Sequence, residues 1–119
     1  MSNHVTIETT DTFDAWFDAL DDTDRANMLA SIIALRERGP MLPRPYADTV
    51  NGSCHSNMKE LRVQSKGDPL RAFFAFDPKR RGILLCAGNK TGNEKRFYET
   101  MIPIADREFT AHLEKLKKE

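Results

Sequence analysis

KELRVQSKGDPLRAFFAFDPKRRGILLCA, residues 59–87, is the stretch that decides the fold. Within it, KELRVQ (59–64) and LRAFFAF (70–76) alternate with a period of two, the mark of a β-strand. KGDP between them reads as a turn; Asp77-Pro78 opens a second turn and Gly82 closes it. ILLCA (83–87) is almost wholly apolar, as expected of a central strand covered on both faces. The three runs together predict an antiparallel meander. Pairing Arg62 opposite Phe73 and Gln64 opposite Arg71 puts Leu61, Val63, Ala72, Phe74 and Phe76 on one face. Arg62 and Arg71 then share the other face. Two guanidinium groups on one face repel unless an anion lies between them; the ordinary alternative is that both are solvated or paired with Glu60 and Asp68.

Outward from the meander the period changes. VTIET (5–9) predicts a short strand. DTFDAWFDAL (11–20) carries Phe13, Trp16, Phe17 and Leu20 in one helical stripe, with Thr10 or Asp11 as its cap. A second helix is expected to show Leu29, Ile32, Ile33 and Arg36 on one face, flanked by Met28 and Leu35. Gly39 and Pro40 end it. Residues 39–57, with three prolines and two glycines, read as a long loop of the kind that often carries function. Residues 93–118 predict a closing helix with Phe97, Met101 and Ile104, then Phe109, Leu113 and Leu116, on its apolar side. Pro103 should kink or break it near Met101. If Phe97 faces the core, Tyr98 is turned to the rim beside Lys95 and Arg96.

The totals bound the answer. A chain of 119 residues fits one domain spanning 1–119, an α+β unit with an antiparallel sheet, an N-terminal helical hairpin and a C-terminal helix. No apolar run reaches the roughly 20 residues of a membrane span. The opening MSNHVTIETTDTF lacks the basic start and apolar stretch of a secretory leader. Two cysteines without a C-x-x-C suit free thiols in a reducing cytoplasm and give no metal spacing. Net charge is zero but segregated: residues 1–57 hold 4 Lys/Arg against 9 Asp/Glu, residues 58–119 hold 14 against 9. Such segregation can leave one surface positive on a neutral molecule.

The ordered set GSCHSNMKELRV, RAFFAFDPKRRGILLCAGNKTGN and RFYETMIPIADREFTAHL resembles the RelE/ParE toxin superfamily, and within it the phage-type, HigB-like branch. The resemblance implies a small microbial-RNase-like fold that cleaves mRNA, usually on the ribosome. It also implies an antitoxin partner, commonly a helix-turn-helix protein, and a cytoplasmic, membrane-free setting with no metal or cofactor. The family's basic residues on the central strands match Lys59, Arg62 and Arg71. Its basic residue after the last strand matches Lys90, and its aromatic at the start of the closing helix matches Tyr98.

Metal-independent cleavage by 2′-OH attack needs a base, positive charge on the phosphorane oxygens and a proton for the leaving oxygen. Arg62, Arg71, Lys90 and Tyr98 are the catalytic candidates, with Lys59, His55, Lys95, Arg96 and Arg80 as RNA contacts. The base is open between Lys59, Lys90 and His55, the last equally readable as a solvated loop histidine. Arg80, on a hairpin tip with Lys79 and Arg81, is either a solvated turn residue or a contact to ribosomal RNA phosphates. A gyrase poison and a non-catalytic RNA- or ribosome-binding module are the rival readings.

Overall fold

The computed structural model describes residues 4–119; the three residues ahead of them, part of the stretch read for a leader, lie outside the described residues. Strands β1 (Ile7–Thr9), β2 (Ala47–Thr49), β3 (Lys59–Ser65), β4 (Asp68–Phe76) and β5 (Gly82–Asn89) form one sheet in the order β1-β5-β4-β3-β2. Helices α1 (Asp11–Asp18) and α2 (Asp22–Arg38) cover one face, and α3 (Glu94–Lys117) covers the other. The α+β arrangement is as expected, with two additions. β1 joins β5 in parallel, so the sheet is mixed. The long loop contains β2, an edge strand hidden among prolines, which pairs Ala47 with Leu61.

Both faces are dry, which is why ILLCA has no polar alternation. Phe13, Met28, Leu35, Leu61, Leu70, Phe74 and Leu84 fill the α1/α2 side. Met58, Phe73, Ile83, Leu85, Cys86, Ala105 and Phe109 fill the α3 side. β5 serves both through a bulge. Phe73 pairs with Cys86 and Phe74 with Leu84, so Leu85 is the extra residue and Leu85 and Cys86 both face α3. Thr10 satisfies the bulge: its hydroxyl donates to the Leu85 carbonyl (2.6 Å) while capping α1 by accepting from the Phe13 N–H (3.1 Å).

The predicted meander register is off by two. Arg62 stands opposite Arg71, and Gln64 opposite Pro69. The turn is not the four residues KGDP but the two residues Lys66 and Gly67, both at positive φ (54° and 84°), the mirror-image turn that tight hairpins favour. Because the error is even, the faces survive: Leu61, Val63, Ala72 and Phe74 remain together, and Arg62 and Arg71 remain together.

Helix faces differ more. On α2 the buried residues are Met28 and Leu35, a pair seven apart, whereas Leu29 and Ile33 are 49% and 41% exposed. The expected stripe was centred one position too far round. On α3 the inward line is Phe97, Met101, Ala105, Phe109 and Leu113, spaced by four. Pro103 does not break this helix. It is exposed, so the carbonyl it leaves unpaired, on exposed Glu99, has water for a partner, while packing holds both flanks on the sheet.

The corrected α2 face has a direct test. Met28→Ala should lower unfolding free energy by about 2–5 kcal/mol, and Leu29→Ala should change it by less than about 1 kcal/mol, measured by urea denaturation.

Candidate functional site

The α3 face of the sheet is apolar except at one end, where Glu60, Arg62 and Arg71 project from adjacent positions of β3 and β4. α3 begins beside them, capped by the Asn93 side chain accepting from the Arg96 N–H, and its second turn brings in Tyr98. The Tyr98 ring packs edge-on against Phe73 at 6.1 Å, and this contact aims its hydroxyl along the sheet. The hydroxyl donates to Glu60 Oε1 at 2.6 Å. Arg62 Nε donates to Glu60 Oε2 at 2.9 Å, and Arg71 Nε lies 4.0 Å from the same oxygen. Lys90 arrives from the turn after β5, its main-chain N–H donating to the Pro69 carbonyl and its ammonium 5.9 Å from the centre of the Tyr98 ring.

Sequence reasoning picked four residues that the fold brings near one another: Arg62, Arg71, Lys90 and Tyr98 meet at one end of the sheet. It missed Glu60 as their hub, treating it only as a possible surface partner. The signal was present: Glu60 has the parity of Arg62, so any register placing the arginines on one face places this carboxylate there too. Glu60 is 3% exposed. Its role is electrostatic. Two unit charges about 5 Å apart at an effective dielectric near 20 repel by about 3 kcal/mol. A carboxylate within about 4 Å of both attracts each by at least as much. Of the two readings of these arginines, the structure shows pairing with Glu60.

The surroundings are charge-paired as well. Asp48, carried in by β2, takes Arg62 at 3.2 Å and Arg44 at 3.0 Å. Thr49's N–H, then Arg44, hold its carboxyl below the usual range, against some burial. Lys90 donates to Glu94 at 2.9 Å, which keeps the Glu94 carboxyl low. Glu60's hydrogen bond raises the Arg62 guanidinium further. Arg62, Arg71 and Lys90 thus each lie against a carboxylate of Glu60, Asp48 or Glu94, with Asp48 shared between Arg62 and Arg44. One donor is left over: Arg71, 8% exposed, gives one guanidinium N–H to the Leu70 carbonyl (3.0 Å), but its Nε is buried without a hydrogen-bond acceptor.

The other candidates lie elsewhere. Lys59 has the parity of Leu61 and Val63 and belongs to the opposite face from Arg62. His55 accepts or donates at Thr110 Oγ1 (2.9 Å) and packs edge-on to Phe109. Thr110 is twelve residues beyond Tyr98, about 18 Å along α3. His55 belongs to a clamp in which Asp106 holds Ser53 and the Cys54 N–H, fastening the loop before β3 to the helix. Neither residue is placed to act as base on a group bound at Arg62. Lys95 and Arg96 are exposed on the first turn of α3, the only RNA-contact candidates near the cleft mouth. Arg80 sits exposed at the β4–β5 tip with φ 63°, next to a turn organised by buried Asp77, which accepts from Arg81 and His112. Both thiols are free, Cys54 exposed and Cys86 buried. No helix among the described residues is long and apolar enough to cross a membrane.

Residues 15–110 match the family described as Phage derived protein Gp49-like (DUF891). The chain belongs to this Gp49-like family. Two proteins of Mycobacterium tuberculosis (strain ATCC 25618 / H37Rv) are similar to it. One, named as candidate toxin HigB2, is 47% identical over 100 residues, covering 83% of this chain and 50% of HigB2. The other, candidate toxin HigB3, is 50% identical over 91 residues, covering 76% of this chain and 78% of HigB3. The chain thus spans about half the length of the first. In fold it is similar to a double arginine-to-alanine mutant of E. coli toxin RelE in the free state, with a TM-score of 0.58 at 9% identity over 79% of this chain and 92% of that one. The RelE-like architecture and HigB-like kinship expected from the resemblance are both found in this Gp49-like chain.

Burial, and then the bond to Glu60, push the Tyr98 phenol up to about 12. The folded state holds this proton more tightly than the unfolded chain, whose tyrosines titrate near 10. The stabilisation is complete below about pH 10 and is lost as pH rises toward 12. Absorbance titration at the phenolate band should show a tyrosine with a midpoint near 12, absent in Tyr98→Phe, and Glu60→Gln should bring it down toward 10.

Proposed function

We propose that the chain is the toxin of a type II toxin–antitoxin pair, an endoribonuclease that cuts mRNA on the ribosome in the cytoplasm without a metal, held in check by a cognate antitoxin of helix-turn-helix type. What carries the reading is the hydrogen-bonded line from Tyr98 through Glu60 to Arg62, with Arg71 4.0 Å from the same carboxylate, since it supplies a proton acceptor beside two fixed cations.

The chemistry follows the line. Tyr98's proton is committed to Glu60, so the outward lone pairs of its oxygen are free to accept. The 2′-OH of a bound nucleotide gives its proton to Tyr98 as Tyr98 passes its own to Glu60 Oε1. The 2′ oxygen then forms its bond to phosphorus and the bond to the 5′ oxygen breaks. Arg62 and Arg71 face the charge growing on the non-bridging oxygens. Lys90 is the cation placed to give the leaving oxygen its proton. The products are a 2′,3′-cyclic phosphate and a 5′-hydroxyl. The charge-paired state suits an enzyme that acts on the ribosome, because an RNA phosphate must compete with Glu60, Asp48 and Glu94 for the same cations, and a ribosome that orients the message offsets that cost.

Mapping of mRNA 5′ ends after induction should show new cuts with the wild-type chain. With purified ribosomes, Arg71→Ala should slow cleavage about 10²–10³-fold and Glu60→Gln about 10²–10⁴-fold, with melting curves confirming that each variant is folded. Growth arrest with intact transcripts and inhibited gyrase relaxation would replace this reading with the gyrase one.

A further inference from the structure

Arg62 stands on a ridge between two concavities. On one side a space of about 320 Å³ holds Glu60 and Tyr98. On the other a larger space of about 530 Å³ has Tyr46, Gln64, Arg71 and Arg62 itself in its lining, with Asn27 and Ser31 of α2 forming part of its wall. Of the catalytic residues, Glu60 and Tyr98 line the first, Arg62 lines both, and Arg71 lines the second. The second lies where β2 ends: β2 pairs with β3 as far as Leu61, the Arg62 N–H is taken by the Tyr46 carbonyl, and beyond Arg62 the edge of β3 has no strand partner.

Tyr46 marks this second space. It is 58% exposed, beside two arginines, and makes no contribution to either core. Its backbone is nonetheless tied down. The Tyr46 carbonyl accepts from the Arg62 N–H at 2.8 Å, and its N–H donates to the Pro43 carbonyl at 3.0 Å. An exposed phenol on a fixed backbone, lining one space with guanidinium groups, is an arrangement on which single-stranded bases can stack. Arg71 lines the same space and adds a second guanidinium to it, while its buried Nε lies 4.0 Å from Glu60 Oε2. Gln64, exposed and of Arg62's parity, offers both a donor and an acceptor to a base edge.

We infer that Tyr46, Arg62, Arg71 and Gln64 form a nucleotide subsite for single-stranded RNA, in which one base stacks on Tyr46 while its phosphate reaches the arginine ridge. The inference rests on the nuclease reading for the direction in which the strand runs: the nucleotide on Tyr46 and the one beside Tyr98 flank the phosphate at Arg62. Tyr46 is then a specificity-determining residue, and Gln64 the side chain that distinguishes one base from another.

The test is binding, separated from cleavage. A fluorescein-labelled 2′-O-methyl RNA hexamer has no free 2′-OH and stays intact. Its affinity for the isolated full chain is read by fluorescence anisotropy at low salt. Tyr46→Ala should weaken binding by about 5- to 150-fold, and Tyr46→Trp should restore it, because stacking needs the ring and not the hydroxyl. Gln64→Ala should alter the ranking among hexamers of different base composition. A wild-type chain that fails to bind the hexamer at about 1 mM, or a Tyr46→Ala chain that binds within twofold of wild type, overturns the subsite; the latter result would leave Tyr46 and the open β3 edge to a protein partner. A chain that binds through Tyr46 yet cuts no message in the mapping experiment retires the nuclease reading and leaves the subsite standing.

Discussion

The arrangement depends on one buried carboxylate. Arg62 and Arg71 are direct cross-strand neighbours on a dry sheet face, a placement that like charges resist. Glu60 makes it tolerable by lying within 2.9 Å of one and 4.0 Å of the other while taking the Tyr98 hydroxyl on its second oxygen. Removing such a partner leaves uncompensated charge at low dielectric, so this one residue helps to hold β3, β4 and the start of α3 together.

The rest of the fold can be understood as delivery. The two-residue turn at Lys66 and Gly67 sets the register that places Arg62 across from Arg71. The bulge at Leu85 turns two consecutive β5 side chains toward α3, widening the apolar floor on which Phe97, Met101 and Phe109 sit. Phe73 then positions Tyr98 by ring contact. β2, only three residues long, has a larger effect than its size suggests: it carries Asp48 onto Arg62 and leaves Tyr46 at the lip. The cleft is consequently framed by rigid strands and one helix, with its charges already paired.

Much of this was legible beforehand. Period-two runs, the apolar ILLCA and the aromatic stripe identified the strands and helices, and parity alone put both arginines on one face. What was misread had local causes. The α2 stripe was chosen by counting apolar residues, but Leu29 and Ile33 are exposed while Met28 and Leu35 are buried, because the sheet presents its pockets to that other line. Pro103 reads as a kink or a break in the sequence, yet α3 runs through it as one element, because a helix packed along a sheet tolerates a lost hydrogen bond on its wet side. Lys59 and His55 matched family positions or chemistry in one dimension but face away from the cleft or lie a long way down α3.

Composition and pattern by themselves determined the α+β class, the two-sided burial of the central strand, and the shared face of Arg62 and Arg71, because side-chain direction along a strand is fixed by counting in twos. Tertiary structure alone decided that Glu60 is the hub, that the cleft's cations lie against carboxylates, and that Tyr46 stands beside it. Those facts depend on distances between segments tens of residues apart, and hydrophobic periodicity carries no information about which polar groups will meet once the strands have paired.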